Sequence, residues 1–136
     1  MSIKGADIRN IAVIGHSGEG KTSVCEAILF NGKATDRLGK VTEGTTVTDS
    51  DEQEIARKMS ISLGVAYAMW EGVKLNLLDV PGFYDFEGEE NEALRAAGGA
   101  LIVTGATGTL SVGAEKAIDK CLKNKIPMVV FINGVD

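Results

Sequence analysis

The sequence predicts an α/β fold, a mostly parallel sheet with helices on both faces and an antiparallel hairpin at one edge. Short, nearly continuous apolar runs, as expected for strands covered on both faces, alternate with amphipathic stretches of helix length. Two further runs, at about residues 60–69 and 73–78, are separated only by a tight turn at Glu71-Gly72. Such a short connection requires antiparallel pairing, which places this pair at an edge of the sheet.

The first strand and helix flank a glycine-rich turn. Residues 8–14 form a short β-branched run that predicts a buried strand. Residues 21–31 predict a helix, and Gly32 lies where a left-handed residue commonly ends one. Residues 33–58 are polar and lack an apolar period, so we expect a long loop, usually functional or mobile. The helix positions expected to face the core are Val24, Ala27, Ile28 and Leu29.

The second half of the chain alternates regularly, with predicted helices at residues 87–97 and 111–124 and strands at 99–103 and 128–132. Cys25 and Cys121 fall in predicted helices at a spacing that fits no metal or redox motif, which predicts buried free thiols. The expected apolar face of the last helix is formed by Val112, Ala114, Ala117, Ile118, Cys121 and Leu122.

Length and composition indicate one globular domain. The 136 residues are 44% hydrophobic and 24% charged. The net charge of −5, without clustered Lys and Arg, predicts no direct nucleic-acid-binding face. The first ten residues lack a signal peptide, and no run reaches membrane-spanning length. We therefore expect a cytoplasmic protein that does not bind a membrane.

The glycine-rich turn has the pattern G-x-x-x-x-G-K-T between a strand and a helix, a position that disfavours a chance match. The glycines let backbone N–H groups converge on a phosphate, and the helix N-terminus adds positive potential. Lys21 would neutralise β/γ oxygens, and the Thr22 hydroxyl would coordinate Mg²⁺. For His16, the only histidine, we expect a structural role rather than general-base catalysis. The predicted phosphate loop is Gly15, His16, Ser17, Gly18, Glu19, Gly20, Lys21 and Thr22.

Two later motifs fall in the order that nucleotide binding requires. Asp79 ends an apolar strand, where a carboxylate can reach Mg²⁺ through water, and Gly82 can bring a backbone N–H to the γ-phosphate. Asn133 and Asp136 follow the last strand. The Asp136 carboxylate can accept hydrogen bonds from two guanine donors that adenine lacks, so GTP and GDP are the predicted ligands.

Together these motifs resemble the GTP-binding domain of elongation factor G, and more closely that of elongation-factor-G-like relatives, among the translational GTPases. The resemblance implies a phosphate-loop (G-domain) fold in a ribosome-associated GTPase. It also implies a switch I at about residues 33–61, a switch II at about 79–95 and a guanine motif at 133–136. Its residues include Ile8 to His16, Gly20-Lys21-Thr22, Ile28-Leu29-Phe30, Arg57 to Ile61, Leu77-Leu78-Asp79, Pro81-Gly82, Asp85-Phe86, Glu115-Lys116, Phe131-Ile132-Asn133 and Asp136.

The resemblance also assigns roles within the switches. Ser60 stands where the family has a Thr that closes over Mg²⁺ and the γ-phosphate, and either residue offers one hydroxyl. The implied catalytic residues are therefore Lys21, Ser60 and Gly82, and the implied metal ligands are Thr22, Ser60 and Asp79.

Several positions depart from the family pattern. Phe83 replaces the His that positions the attacking water, and Phe has no hydrogen-bonding group. We expect hydrolysis to be slow, dependent on the ribosome through other groups, or lost. Gly134 replaces the Lys of the guanine motif, which should weaken guanine binding, whereas Gly18 and Gly105 each replace an Asp.

The family's domain continues beyond the motifs found here. Residues 1–136 are therefore expected to be an incomplete GTP-binding domain, ending before the last helix-strand-helix. We expect its last strand to be an apolar sheet edge that favours self-association, and the chain to bind nucleotide weakly or not at all in isolation. Two alternatives stay open. One is a nucleotide-binding switch with little or no hydrolysis. The other is an ATP-using phosphate-loop enzyme, disfavoured by the missing arginine-bearing lid and by Asp136.

Overall fold

The computed structural model describes residues 3–48, 51–57, 59–82 and 87–135. Short 3₁₀ turns lie at Gly5–Asp7 and Val41–Glu43. The helices and strands are β1 (Ile8–Ile14), α1 (Lys21–Asn31), α2 (Glu52–Arg57), β2 (Gly64–Trp70), β3 (Val73–Asp79), α3 (Glu87–Ala96), β4 (Gly99–Gly105), α4 (Val112–Asn124) and β5 (Met128–Asn133).

The five strands form one sheet in the order β2-β3-β1-β4-β5. β1 lies at the centre and pairs in parallel with β3 and β4, and β4 pairs in parallel with β5. β2 is antiparallel to β3, with Gly64 opposite Asp79. The predicted mostly parallel sheet with an antiparallel edge pair is therefore confirmed.

Helices cover both faces of the sheet, as predicted. Val13 of β1 belongs to the core beneath α1, together with Leu77 and Val103. Its neighbours Ala12 and Ile14 belong to the opposite core, beneath α3 and α4. This alternation follows from the period of two in a strand, and it explains why the central strands are apolar at nearly every position.

The segment between α1 and β2 differs from the predicted loop. It contains the six-residue helix α2, whose buried side chain is the acidic Glu54 while Ile55 is exposed. A helix this short with a buried carboxylate has no apolar period to detect. β2 also begins at Gly64 rather than at residue 60. The reason is that the amides of Ile61 and Ser62 donate to a side chain instead of a neighbouring strand.

Two expectations about helix ends and faces were wrong. Gly32 has a φ of −75°, and the left-handed residue after α1 is Lys33 with a φ of 56°. At Gly32 a Cβ would lie 2.8 Å from Cβ of Ala68, so close packing explains the glycine. In α4, Val112 and Leu122 are exposed because they lie well off the buried stripe formed by Ala114, Ala117 and Cys121.

Other predictions hold. Cys25 and Cys121 are buried free thiols, as expected. In α1 the deepest apolar positions are Cys25 and Leu29, and Ile28 is half-buried against the same core. Among the described residues, none of the helices has the length and apolar character needed to cross a membrane.

Candidate functional site

The loop between β1 and α1 curls through backbone conformations that favour glycine. Gly15, Gly18 and Gly20 have φ values of 145°, 81° and 91°. A side chain at Gly15 would overlap the carbonyl oxygen of Val103, because the loop leaves β1 directly against β4. Glycine is therefore required at these positions by both conformation and space.

The side chain of Glu19 holds the loop in place through hydrogen bonds to the loop itself and to β4. Its Oε2 accepts the backbone N–H of His16 at 3.0 Å, and its Oε1 accepts the hydroxyl of Thr104 in β4 at 3.4 Å. The Asn133 amide, at the end of β5, donates to the Glu19 carbonyl at 2.9 Å. A Cβ at Gly20 would overlap that amide. Glu19 and Asn133 thus join the phosphate loop to two strands of the sheet.

His16 lies against the start of α4. A Cβ at Gly113 would approach the His16 Cα at 2.7 Å and its Nδ1 at 2.9 Å. The imidazole is therefore packed between the loop and a helix, which is a position that favours the structural role expected from the sequence.

A cavity of about 220 Å³ opens above the loop. It brings together three separate regions, namely the phosphate loop with the start of α1, parts of the predicted switch I, and Gly82. The lining residues are Ser17, Gly18, Gly20, Lys21, Thr22, Ser23, Val41, Met59, Ser60 and Gly82.

Lys21 lies at the base of this cavity and is 7% exposed. Its Nζ donates to the carbonyl of His16 at 2.9 Å, across the curl of the loop. Burial lowers the pKa of Lys21, while the negative charges of Asp79 and Glu19 oppose that shift. A phosphate in the cavity would add a further negative charge, which would favour the protonated form of Lys21.

Two predicted metal ligands from distant parts of the chain meet here. The hydroxyl oxygens of Thr22 and Ser60 are 3.2 Å apart. Gly82 approaches so closely that a Cβ there would overlap the Lys21 Nζ and lie 2.7 Å from the Ser17 amide nitrogen. The predicted switch I and switch II segments, through Ser60 and Gly82, therefore both contact the phosphate loop at the cavity.

Asp79, the third predicted ligand, is 1% exposed at the end of β3. Its Oδ2 accepts the hydroxyl of Thr48 at 2.9 Å. Thr48 is itself buried, and it occupies space that a side chain at Gly64 would fill, because a Cβ there would lie 2.7 Å from the Thr48 Cβ. Sequence reasoning missed Thr48, since one Thr in a polar stretch gives no signal.

Glu26 is a second residue that was missed. It lies on the buried side of α1, 1% exposed, and its Oε1 accepts the backbone N–H of Val47 at 2.6 Å. A Cβ at Gly39 would overlap its Oε2. The available signal was a carboxylate between the apolar core positions Cys25 and Leu29. Glu26 thus holds the segment around Val47, within the predicted switch I, against α1.

Phe83 and Asp136 lie outside the described residues, so their expected roles stay predictions. Within the described ranges, no three or more His, Cys, Asp or Glu side chains cluster as metal ligands. The magnesium set predicted from the sequence is of another kind, because two of its three members are hydroxyls.

The fold and this cavity define a class of protein. A glycine loop from a central strand, a buried lysine and a threonine at the following helix start, and a carboxylate ending the neighbouring strand are the features of a phosphate-loop nucleotide-binding domain. More specifically, the chain belongs to the family described as the elongation factor Tu GTP binding domain, whose model matches residues 6–136.

Known proteins extend this result. The chain is 42% identical over 129 residues to an elongation factor G-like protein of Mycobacterium tuberculosis, covering 95% of this chain and 18% of that protein. It is 37% identical over 131 residues to the mitochondrial ribosome-releasing factor 2 of Drosophila willistoni, covering 96% and 18%. A crystal structure from Thermus thermophilus matches with a TM-score of 0.88 and 39% identity, covering 94% and 19%.

These matches confirm the resemblance to elongation factor G and its relatives, and the predicted fold. The chain spans less than a fifth of the length of these curated relatives.

Proposed function

We propose that this chain is the guanine-nucleotide-binding part of a translational GTPase that couples GTP binding and hydrolysis to conformational change on the ribosome. The observation that supports this most strongly is the meeting of Thr22 and Ser60 hydroxyls at 3.2 Å beside Lys21. A γ-phosphate bound there would be sensed by switch I directly. The names of the relatives, an elongation factor G-like protein and a ribosome-releasing factor, favour the ribosome as the partner.

Phosphate binding would rest on the loop backbone and Lys21. Loop residues on both sides of Glu19 line the cavity at the start of α1, where backbone N–H groups and the helix dipole would favour an anion. Lys21 is buried, so its charge acts on a phosphate through a medium less polarisable than water. In a phosphoryl transfer, this positioning and charge are the main contributions of a protein.

Magnesium fits the residues present. Thr22, Ser60 and Asp79 offer only oxygen atoms, which Mg²⁺ prefers, and the ion commonly keeps several waters besides one or two protein ligands. When bound, it would neutralise charge on the β- and γ-phosphates. Ser60 would hold switch I closed over the triphosphate, and Gly82 would offer its backbone N–H without a side chain in the way.

Guanine recognition would come from the end of β5. Asp136 would accept the two guanine donors, while Asn133 braces the phosphate loop through its hydrogen bond to Glu19. Gly134 leaves out the lysine that the family uses here, so we expect the preference for GTP over ATP to persist with reduced affinity.

A nucleotide-binding switch without appreciable turnover is the second candidate. Phe83 favours it, because a side chain without hydrogen-bonding groups cannot position water. Single-turnover GTP hydrolysis by the full-length protein with ribosomes separates the two candidates. Turnover at the rate of an ordinary elongation factor G would exclude the switch without turnover, and GTP binding with no hydrolysis would exclude the enzyme.

The same protein also allows a test of nucleotide class. Equilibrium titration with GTP, GDP and ATP, each with and without Mg²⁺, should show binding of both guanine nucleotides and weaker binding of ATP. Preference for ATP would favour a phosphate-loop enzyme of another kind.

The exposed edge strand supports a proposal about the isolated 136 residues. Val129, Val130, Phe131 and Ile132 of β5 are all at least 43% exposed on the outer strand of the sheet. Such an edge favours pairing with another strand, so we expect the isolated chain to self-associate at high concentration. Light scattering that shows a monomer at all concentrations would contradict this.

A further inference from the structure

The second half of switch I is held by a buried carboxylate that takes no part in the phosphate cavity. Glu54 of α2 is 4% exposed. Its Oε1 accepts the backbone N–H groups of Ile61 at 2.9 Å and Ser62 at 3.1 Å, and its Oε2 accepts that of Asp51 at 3.2 Å. Hydrogen bonds from amides to a charged carboxylate are short and strong, so Glu54 fixes this backbone.

A second carboxylate reaches the next amide from a different helix. Glu89 of α3 accepts the backbone N–H of Leu63 through Oε2 at 3.1 Å. Three consecutive amides, those of residues 61–63, thus donate to two glutamates. Because β2 begins only at Gly64, these amides obtain from carboxylates the partners that a strand would otherwise provide.

The two glutamates act close to the predicted nucleotide site. The three amides directly follow Ser60, whose hydroxyl is 3.2 Å from that of Thr22. α3 belongs to the predicted switch II, which begins at Asp79 and passes Gly82 beside the phosphate loop. A shift of α3 would therefore act, through Glu89, on the backbone next to Ser60. Glu54 holds the same backbone segment against α2.

We propose that Glu54 and Glu89 are positioning residues that couple switch II to the Ser60 hydroxyl, so that a preference for GTP over GDP depends on both. This inference rests on the proposed function, since it assigns the residues that make Ser60 responsive to the γ-phosphate. Neither glutamate lines the phosphate cavity, and each acts through the backbone of residues 61–63.

The test compares four variants of the full-length protein with the wild type. Glu54→Gln keeps the shape but loses the charge and turns one acceptor into a donor, and Glu89→Ala removes the link to α3. The matched controls are Glu52→Ala in α2 and Glu92→Ala in α3, because both side chains are exposed. GTP and GDP affinities are measured with a fluorescent nucleotide across a Mg²⁺ titration.

We expect Glu54→Gln and Glu89→Ala each to lower the GTP-to-GDP affinity ratio about fivefold or more, with GDP affinity unchanged. The two controls should keep the ratio of the wild type. An unchanged ratio in both test variants would overturn the proposal, and an equal loss of GTP and GDP affinity would show a merely structural role. Failure of the wild type to bind either nucleotide would instead overturn the proposed function.

Amide hydrogen exchange in the nucleotide-free protein tests the contact made by Glu89 separately from the contacts made by Glu54. This measurement does not depend on nucleotide binding. In Glu89→Ala, exchange at Leu63 should rise together with exchange at Ile61 and Ser62, whereas the Glu92→Ala control should leave all three unchanged. A rise confined to Leu63, or none at all, would mean that α3 is not coupled to the Ser60 segment.

Discussion

The phosphate loop and switch I meet at the same cavity but are held in place by different means. The loop is shaped by its own backbone, with three glycines at positive φ and the flanking strand and helix fixing its ends. The predicted switch I has little regular structure, and buried carboxylates hold it instead. Glu26 and Asp79 act from other elements, and Glu54 acts from the short helix α2 within the segment. A site of this kind combines a preformed anion cradle with a segment that can be released by changing a few polar contacts.

The two regions should therefore respond differently to substitution. Changes in the loop should reduce binding of every nucleotide, because all of them present phosphates to it. Changes around switch I should act on stability and on responses to Mg²⁺ and to the γ-phosphate.

The largest effect is expected from Lys21→Met. Loss of the ammonium group should weaken GTP and GDP alike by about 100-fold, because a charged hydrogen-bond donor to the phosphates is removed. Fluorescence titration measures both affinities, with the exposed Lys33→Met as the control. Weakening of GTP alone would contradict a shared phosphate cradle.

Gly82→Ala should have the next largest effect. Its Cβ would overlap the Lys21 Nζ and crowd the Ser17 amide, so GTP affinity should fall about tenfold. Gly88→Ala is the matched control, since nothing lies within 4 Å of a Cβ there. Equal affinities for the two variants would show that switch II does not approach the loop this closely.

Thr48→Val should have a smaller effect that appears in stability. It keeps the shape but loses the buried hydrogen bond to Asp79, which should lower the free energy of unfolding by about 1–2 kcal/mol. Urea unfolding measures this, with Thr48→Ser expected to retain most of the stability and the exposed Thr42→Val to retain all of it. If Thr48→Val unfolds with the same free energy as the wild type, the Thr48 hydroxyl does not stabilise the fold through Asp79.

The pH dependence should be the smallest effect. Burial lowers the pKa of Lys21 below its ordinary value of 10.5, so between the lowered pKa and 10.5 the unfolded chain binds more protons than the folded one. The contribution of Lys21 to stability should thus rise with pH through that window and be constant below it. Urea unfolding at a series of pH values should show this rise for the wild type relative to Lys21→Met. A constant difference would mean that the pKa is not lowered.

The same contrast explains what the sequence could predict. The phosphate loop follows from local rules, because each of its fixed residues has a role set by backbone shape or by phosphate chemistry. The parallel sheet follows from near-continuous apolar strands such as residues 8–14. Both predictions needed only neighbouring residues.

Switch I could not be predicted in this way. Glu26 and Val47 are 21 residues apart, and Thr48 and Asp79 are 31 apart, so their pairing depends on the tertiary fold. α2 was missed because its buried residue is Glu54, and a carboxylate that binds backbone amides leaves no apolar period. The resemblance to a family predicted a role for Ser60, whereas the residues that hold the backbone next to Ser60 were found only in the structure.

The most direct test is amide hydrogen exchange of the full-length protein with saturating Mg²⁺ and GTP, GDP or ATP. GTP and GDP should both protect the phosphate loop at residues 15–22, and only GTP should also protect the amides around Ser60 and Gly82. A loop that no guanine nucleotide protects, or equal protection of both regions by ATP, would contradict a guanine-nucleotide switch at this site.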